Sequence, residues 1–345
     1  MEQLLGAQQK LLPEMTTLLQ KRYRLLMTIQ LSVGIGRRAL SEIVHSTERE
    51  TRRELDILRA QGLIQVLANG MEITQEGNIV LETLKDLVHE WSGLYDMEKQ
   101  LEKAFKLAQV IIVPGDSEIE IPAKSLIGQE AARQLELLSK DHDTVAVTGG
   151  STIAAIANHL SVHIKPKSLV FVAARGGIGE NVELQANHIA SAFATQASGT
   201  SRTLYLPDYL SEKAYKTMIK EPVIKEMMDL YDKTNIVIHG IGDAKEMARR
   251  RNSSQEELDI ILLKQAVGEA FGYYFNEQGK AVHRIRTVGI QLKQLKHARH
   301  LLAVAGGASK ASAILSYLKH APHQTVLITD EGAAKKITQL MINEN

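Results

Sequence analysis

The chain is predicted to be an α/β protein in two parts: a winged helix-turn-helix, then a doubly wound domain on a mostly parallel sheet. Three observations predict it. Residues 11–80 carry short helical patterns joined by a tight turn and followed by an Asn-Gly hairpin signal. From residue 108 onward, uninterrupted apolar runs alternate with helical stretches. Several of those runs end in glycines, led by Gly149-Gly150-Ser151-Thr152 after Val145-Ala146-Val147. At 345 residues the chain exceeds one ordinary core, and a division into 1–90 and 91–345 follows.

In the first part, the pattern predicts helices over roughly 14–30, 37–44 and 47–60. His45-Ser46 separates the last two, and Thr47 with Glu50 three residues on has capping-box spacing. Thr51, Leu55 and Leu58 share one face of the third helix and are expected in the core, which leaves Arg49, Arg52 and Arg53 outside it. Leu63–Val66, Ala68-Asn69-Gly70 and Met71–Thr74 then read as a hairpin. Residues 21–60 hold nine Lys and Arg against five acids, a local +4 in a chain of net charge +1. That excess is a candidate polyanion surface, with Arg37, Thr47, Arg49, Arg52 and Arg53 as the DNA-binding residues. A solvated helix face or a small packing module is the plainer alternative.

One continuous helical pattern runs from Glu76 to Leu107, with an apolar stripe at Trp91, Leu94, Met97, Leu101 and Phe105. It is a candidate contact between subunits, giving a dimer and, on DNA, a tetramer. Beyond it, strands are expected at 110–113, 145–147, 169–172, 204–206, 236–238, 301–304 and 326–328. Continuous apolar runs mark strands buried on both faces of a parallel sheet, and ligands bind such sheets outside the carboxyl ends of the strands.

Five of these runs lead to glycine-bearing edges, which together suggest one rim with close backbone approach. Paired glycines between a strand and a helix expose unpaired N–H groups that can hold an anion. Arg175 and Lys310 add cations at two of the edges. Arg249-Arg250-Arg251 ends a helical stretch from Ala244, where cations are favoured with no ligand at all. The His297/His300 and His320/His323 pairs lack an acidic cluster to complete a metal set. No cofactor is expected. The absence of cysteine excludes disulfides and fits a reducing cytoplasm, and no run reaches the ~18 apolar residues of a membrane span.

The segments GRRALSEIVHSTERETRREL, AVTGGST, FVAARGGIGE, IHGIGDAKEMARRRN, AVGEAFGYYFNEQG, AVAGGASKASAI and TDEGAAKK resemble the SorC family of bacterial transcriptional regulators over essentially the whole chain. The resemblance implies a repressor that binds double-stranded operator DNA. It also implies a sugar-phosphate-binding domain related in fold to glucosamine-phosphate deaminases and ribose-phosphate isomerases. The implied effector is fructose 1,6-bisphosphate or a related sugar phosphate, which relieves repression of a glycolytic operon. Phosphate binding is assigned in this way to Gly149, Gly150, Ser151 and Thr152 with Arg175 and Lys310, and further ligand contacts to Gln185, Arg250, Arg251 and Glu269. Ser151 departs from the family's usual Thr but keeps the hydroxyl. The resemblance favours a ligand role for the arginine run, since a bisphosphate needs a second cationic clamp. The competing reading is a sugar-phosphate isomerase or deaminase on the same fold, with Glu269 or Asp330-Glu331 as the base.

Overall fold

The computed structural model describes residues 11–32, 34–44, 46–160, 164, 167–178 and 181–344. The predicted turn residue His45 and the Gly179-Glu180 end of FVAARGGIGE lie outside them. The chain divides into two compact units, Met1–Asp96 and Met97–Asn345.

The first unit contains α1 (Pro13–Leu31), α2 (Arg37–Ile43) and α3 (Glu48–Ala60), then the hairpin β1 (Ile64–Leu67) and β2 (Gly70–Ile73), then α4 (Gln75–Trp91). Thr47 caps α3 by accepting the Glu50 N–H at 3.2 Å. Thr51, Leu55 and Leu58 are buried as their spacing requires. Glu54 is buried beside them, and Arg22 of α1 neutralises it at 2.8 Å. Ile35 makes an isolated antiparallel bridge to Met71 of the hairpin.

The predicted single helix from Glu76 to Leu107 is two helices, α4 and α5 (Leu94–Phe105), separated at Ser92-Gly93. Gly93 has φ +72°, a left-handed conformation that ends α4 and that a side chain would disfavour. Leu94 and Leu101 are 1% and 0% exposed within the chain itself, so charged substitutions there would test stability rather than assembly.

The second unit continues with β3 (Gln109–Val113), α6 (Ile121–Leu138), β4 (Thr144–Val147), α7 (Ser151–Ile156), β5 (Val170–Ala173), α8 (Ala186–Ala197) and β6 (Thr200–Arg202). Then follow α9 (Glu212–Met218), α10 (Pro222–Asp232), β7 (Ile236–His239), β8 (Gly242–Asp243), α11 (Ala244–Arg250) and α12 (Gln255–Leu263). The remainder is β9 (Ala266–Ala270), β10 (Tyr273–Asn276), β11 (Ala281–Arg284), α13 (Leu292–Leu295), β12 (His300–Val304), α14 (Ala311–Leu318), β13 (Thr325–Asp330) and α15 (Glu331–Glu344).

Seven strands form a parallel sheet in the order β3-β13-β12-β7-β4-β5-β6. Residues of α6, α7 and α8 pack on one face, where Val145, Val147, Phe171, Ile236, Ile238 and Val304 are all buried. The alternate residues Ala146, Val172, Val237, Leu301, Ala303 and Leu327 are buried on the other face, as the continuous apolar runs require. At one edge, Glu98 and Glu102 of α5 accept the N–H groups of Ile112 and Val110 at 2.7 and 3.0 Å, which satisfies donors that β3 would otherwise leave open.

The strand expected at 204–206 is absent. The edge strand forms instead from the polar Thr200–Arg202, because an edge needs no apolar run to cover both faces. Leu204 is buried, but its N–H is taken by the Asn187 side chain at 2.8 Å, and Tyr205 is 85% exposed. A second, antiparallel sheet, β11-β10-β9-β8, was not expected from the sequence.

Candidate functional site

The strand order fixes where a ligand can enter. After β4 the chain moves outward to β5 and β6, whereas after β7 it moves the other way to β12 and β13. The neighbouring strands β4 and β7 therefore release their loops to opposite sides and leave a crevice at their carboxyl ends. Thr148 Oγ1 accepts the Gly240 N–H across that gap at 3.2 Å. A cleft open to solvent lies there.

Gly149, Gly150, Ser151, Thr152, Arg175, Gln185, Arg250, Arg251, Glu269 and Lys310 all line this one cleft, although they come from six separate segments. Glycine is required at 149, where a Cβ would stand 2.7 Å from the Leu184 carbonyl oxygen, and Gly150 has φ +123°. The Gly150 N–H is bonded to that Leu184 oxygen at 2.9 Å. Among the described residues, no acceptor takes the N–H groups of Ser151 and Thr152, so these face the cleft as donors. The plain sequence pattern suggested a similar cradle at Gly306-Gly307, but carboxylates already fill it. Asp330, Asp116 and Glu118 accept from Gly307, Ala308 and Ser309 at 2.7, 3.4 and 3.1 Å. That turn therefore supplies Lys310 and no amide cradle. Lys310 itself ends a short 3₁₀ turn, Ala308–Lys310, and immediately precedes α14.

The four cations of the cleft fall into two classes. Arg175 is buried and forks onto Asp208 at 2.7 and 2.9 Å, with Glu269 at 3.3 Å. Arg251 donates to Asp208 and Glu269 at 2.9 Å each and to the Tyr274 hydroxyl at 3.0 Å. Two guanidinium groups and two carboxylates thus neutralise one another with side chains 3–5% exposed. Burial opposes the charge on Arg251, yet Glu269 and Asp208 outweigh it and hold the group above its ordinary range. Arg250, one residue earlier, is exposed, and among the described residues neither it nor Lys310 has a carboxylate partner. Arg250 and Lys310 are the two lining cations that no carboxylate holds among the described residues, and Glu246 adds one carboxylate to the same lining.

Asp208 has no counterpart in the sequence reading. It follows the predicted strand that failed to form, and only a two-residue signal, Pro207-Asp208, marks it. Phe271 was also missed. It holds a left-handed backbone (φ +56°) at the β9–β10 turn, and its ring lies 4.5 Å from that of His239 on the cleft wall.

His239 is fully buried, with Nδ1 3.1 Å from the Gly240 carbonyl and Nε2 3.0 Å from the Tyr317 hydroxyl. Burial lowers its pKa from 6.5 to about 4, so the ring is neutral near pH 7. A depressed folded pKa gives stability that is complete above the unfolded value and is lost as pH falls toward the folded one. The shift corresponds to roughly 3 kcal/mol. The melting midpoint should therefore drop as pH falls from 6.5 toward 4, and a His239→Gln variant should show a flatter profile across that window.

The three carboxylates read as candidate bases, Glu269, Asp330 and Glu331, each accept hydrogen bonds. Asp330 accepts three backbone N–H groups, from Ser117, Gly307 and Ala333, and Glu331 accepts that of Gly115. Glu269 Oε1 holds both arginines and the Gly272 N–H. Among the described residues no His, Asp and Glu cluster could hold a metal ion, and no helix is long and apolar enough to cross a membrane.

In the first unit, Arg37, Thr47, Arg49, Arg52 and Arg53 are all exposed. The Thr47 hydroxyl oxygen is occupied as a cap, which leaves its proton to donate. Replacing Arg52 or Arg53 by Ala should weaken binding to duplex DNA by ~1–3 kcal/mol for a base contact, read by gel shift, with ligand binding unchanged. Unchanged binding in the double variant would remove α3 from the interface.

Comparison with known proteins agrees with this two-part layout. Residues 89–339 match the sugar-binding domain family (Sugar-bind), and residues 18–88 match the CggR N-terminal DNA binding domain family. The chain is 45% identical over 340 residues to the central glycolytic genes regulator of Priestia megaterium, covering 98% of this chain and 99% of that one. It is 44% identical over 337 residues to the protein of the same name from Bacillus subtilis, covering 98% and 99%. Among solved structures, a SorC-family transcriptional regulator from Enterococcus faecalis is 42% identical, with a TM-score of 0.67, and the match covers 70% of this chain and 99% of that one.

Proposed function

Because this chain belongs to the SorC family of DNA-binding, sugar-binding transcriptional regulators and is not an enzyme, we propose that it represses a glycolytic operon and that a sugar bisphosphate releases it. Fructose 1,6-bisphosphate is the effector that best suits the cleft. The observation that carries this is the separation of its uncompensated charge. Lys310, in the turn before α14, and Arg250, at the end of α11, belong to different segments of one cleft, with the open amides of Ser151 and Thr152 also lining it. A ligand with one phosphate satisfies one cation, whereas a ligand with two satisfies both. The Glu269 oxygen that takes neither arginine can accept from a sugar hydroxyl. Gln185 adds a polar wall. No cofactor beyond this effector is part of the reading, and the site of action is the cytoplasm.

The protein acts as at least a dimer, and as a tetramer on DNA, because operators commonly mirror the two-fold symmetry of the protein that reads them. The effector alters DNA affinity only if it binds free and DNA-bound protein differently.

The test is a titration of the full chain with fructose 1,6-bisphosphate and fructose 6-phosphate, with and without duplexes selected from a random pool. A ligand specific for the folded state at ~100 times its Kd should add roughly 2.7 kcal/mol of stability. The Arg250→Ala variant should bind the two sugars with nearly equal affinity, since only the bisphosphate has a group to place there. A native protein that retains its DNA at all sugar-phosphate concentrations would overturn the reading.

A further inference from the structure

Lys124 was singled out by no sequence motif, yet the fold carries it to the same rim as Lys310. Strand β3 pairs with β13 up to Val113 opposite Asp330, so the loop after β3 begins at the carboxyl ends of the strands. Its Ser117 N–H donates to Asp330 at 2.8 Å, and its Glu118 carboxylate receives Ser309, the neighbour of Lys310. Helix α6 starts directly after this loop, and Lys124 lies in its first turn.

Two close approaches fix the way that turn faces. A Cβ on Gly306 would lie 2.6 Å from Ile127 Cδ1, so α6 rests on the Gly306–Lys310 turn. A Cβ on Gly128 would lie 2.9 Å from the Ala155 carbonyl oxygen, so the helix also packs against α7, which begins at Ser151. Lys124 is four residues before Gly128, on the same face and one turn nearer the rim. It therefore stands along the seam between the two loops that supply Ser151, Thr152 and Lys310.

Its charge is uncompensated there. Lys124 is half-buried, and among the described residues neither it nor Lys310 has a carboxylate partner. Burial first, and the charge of Lys310 second, lower its pKa. Two lysines that repel one another in a partly desolvated place are stabilised by a shared anion.

We propose that Lys124 is a further phosphate-binding residue of this protein, holding with Lys310 the phosphate that sits on the Ser151-Thr152 amides. The proposal rests on the reading of the cleft as a sugar-phosphate site. Lys124 thereby makes that end of the cleft a dianion site, whereas the single Arg250 serves the other end.

Calorimetric titration of the full chain with fructose 1,6-bisphosphate and fructose 6-phosphate tests this. Lys124→Met should lose ~10–100-fold in affinity for both sugars, because the phosphate they share is the one affected. Lys124→Arg should retain most of the binding, and both variants should melt close to the native protein. A second measurement needs no variant: acetylation of lysines in the native protein, followed by mass spectrometry, should show Lys124 and Lys310 protected together by the bisphosphate. If the native protein binds neither sugar, the reading of the cleft fails and this inference with it. If the native protein binds but Lys124→Met binds equally well, or Lys124 is acetylated at the same rate with ligand present, Lys124 alone is removed from the site.

Discussion

An Asp208→Ala variant should lose about 3–5 kcal/mol of stability, the largest effect expected of any single substitution in the second unit. The carboxylate accepts from both Arg175 and Arg251, whose side chains are 5% and 4% exposed. Removing it leaves two buried guanidinium groups sharing Glu269 alone. A buried ion pair is weak evidence for net stability, since desolvation offsets its attraction, but breaking one side strands a charge that water cannot reach. In a unit of this size, each kcal/mol lowers the melting midpoint by roughly 2–4 °C. The control is Asp208→Asn, which keeps the side-chain shape and one acceptor oxygen but sets an amide donor against a guanidinium, and should fall between native and Ala. A melting curve for Asp208→Ala that overlays the native one would show that the arginines find other partners, and their description as a neutral cluster would then be wrong.

The second large effect separates sensing from DNA binding. Lys310→Ala should bind the selected duplex as tightly as the native protein but should no longer be released by fructose 1,6-bisphosphate. A charge-assisted hydrogen bond contributes on the order of 1.5–3 kcal/mol, which is ~10–100-fold in ligand affinity. The fold predicts little structural damage, because Lys310 has no ion-pair partner among the described residues to leave behind. Arg175→Ala makes the contrast. It should reduce ligand affinity too, but with a lowered melting midpoint, since it strips Asp208 of its forked partner. If Lys310→Ala retains native ligand affinity and full release, the phosphate lies elsewhere in the cleft.

The difference between those two cations is a useful measure of what the sequence could say. Arg175, Arg251, Arg250 and Lys310 look alike in a row of letters, each a cation beside a glycine or a helix end. In the fold, two of them are spent on Asp208 and Glu269, and two are not. Asp208 lies 33 residues from Arg175 and 43 from Arg251, so no local pattern announces the pairing. The same holds for the Gly306-Gly307 edge, whose amides look open until Asp116, Glu118 and Asp330 arrive from elsewhere.

By itself the sequence determined what local physics controls. Apolar runs with no polar alternation demanded strands covered on both faces, and all but the one at 204–206 are strands of the central sheet. Thr47, Glu50 and the Thr51–Leu55–Leu58 spacing placed α3 and its buried face, because capping and periodicity act within a few residues. The tertiary structure alone decided the rest. The Ser92-Gly93 break was too weak a local signal against an unbroken apolar stripe. The edge strand Thr200–Arg202 has no apolar pattern, since its outer side faces nothing that must be kept dry. The antiparallel sheet carrying Glu269, and the convergence of Lys124, Lys310 and Ser151 at one rim, depend on strand order. Strand order is set by long-range pairing between segments whose hydrophobic patterns are nearly interchangeable, and a linear pattern cannot rank such pairings.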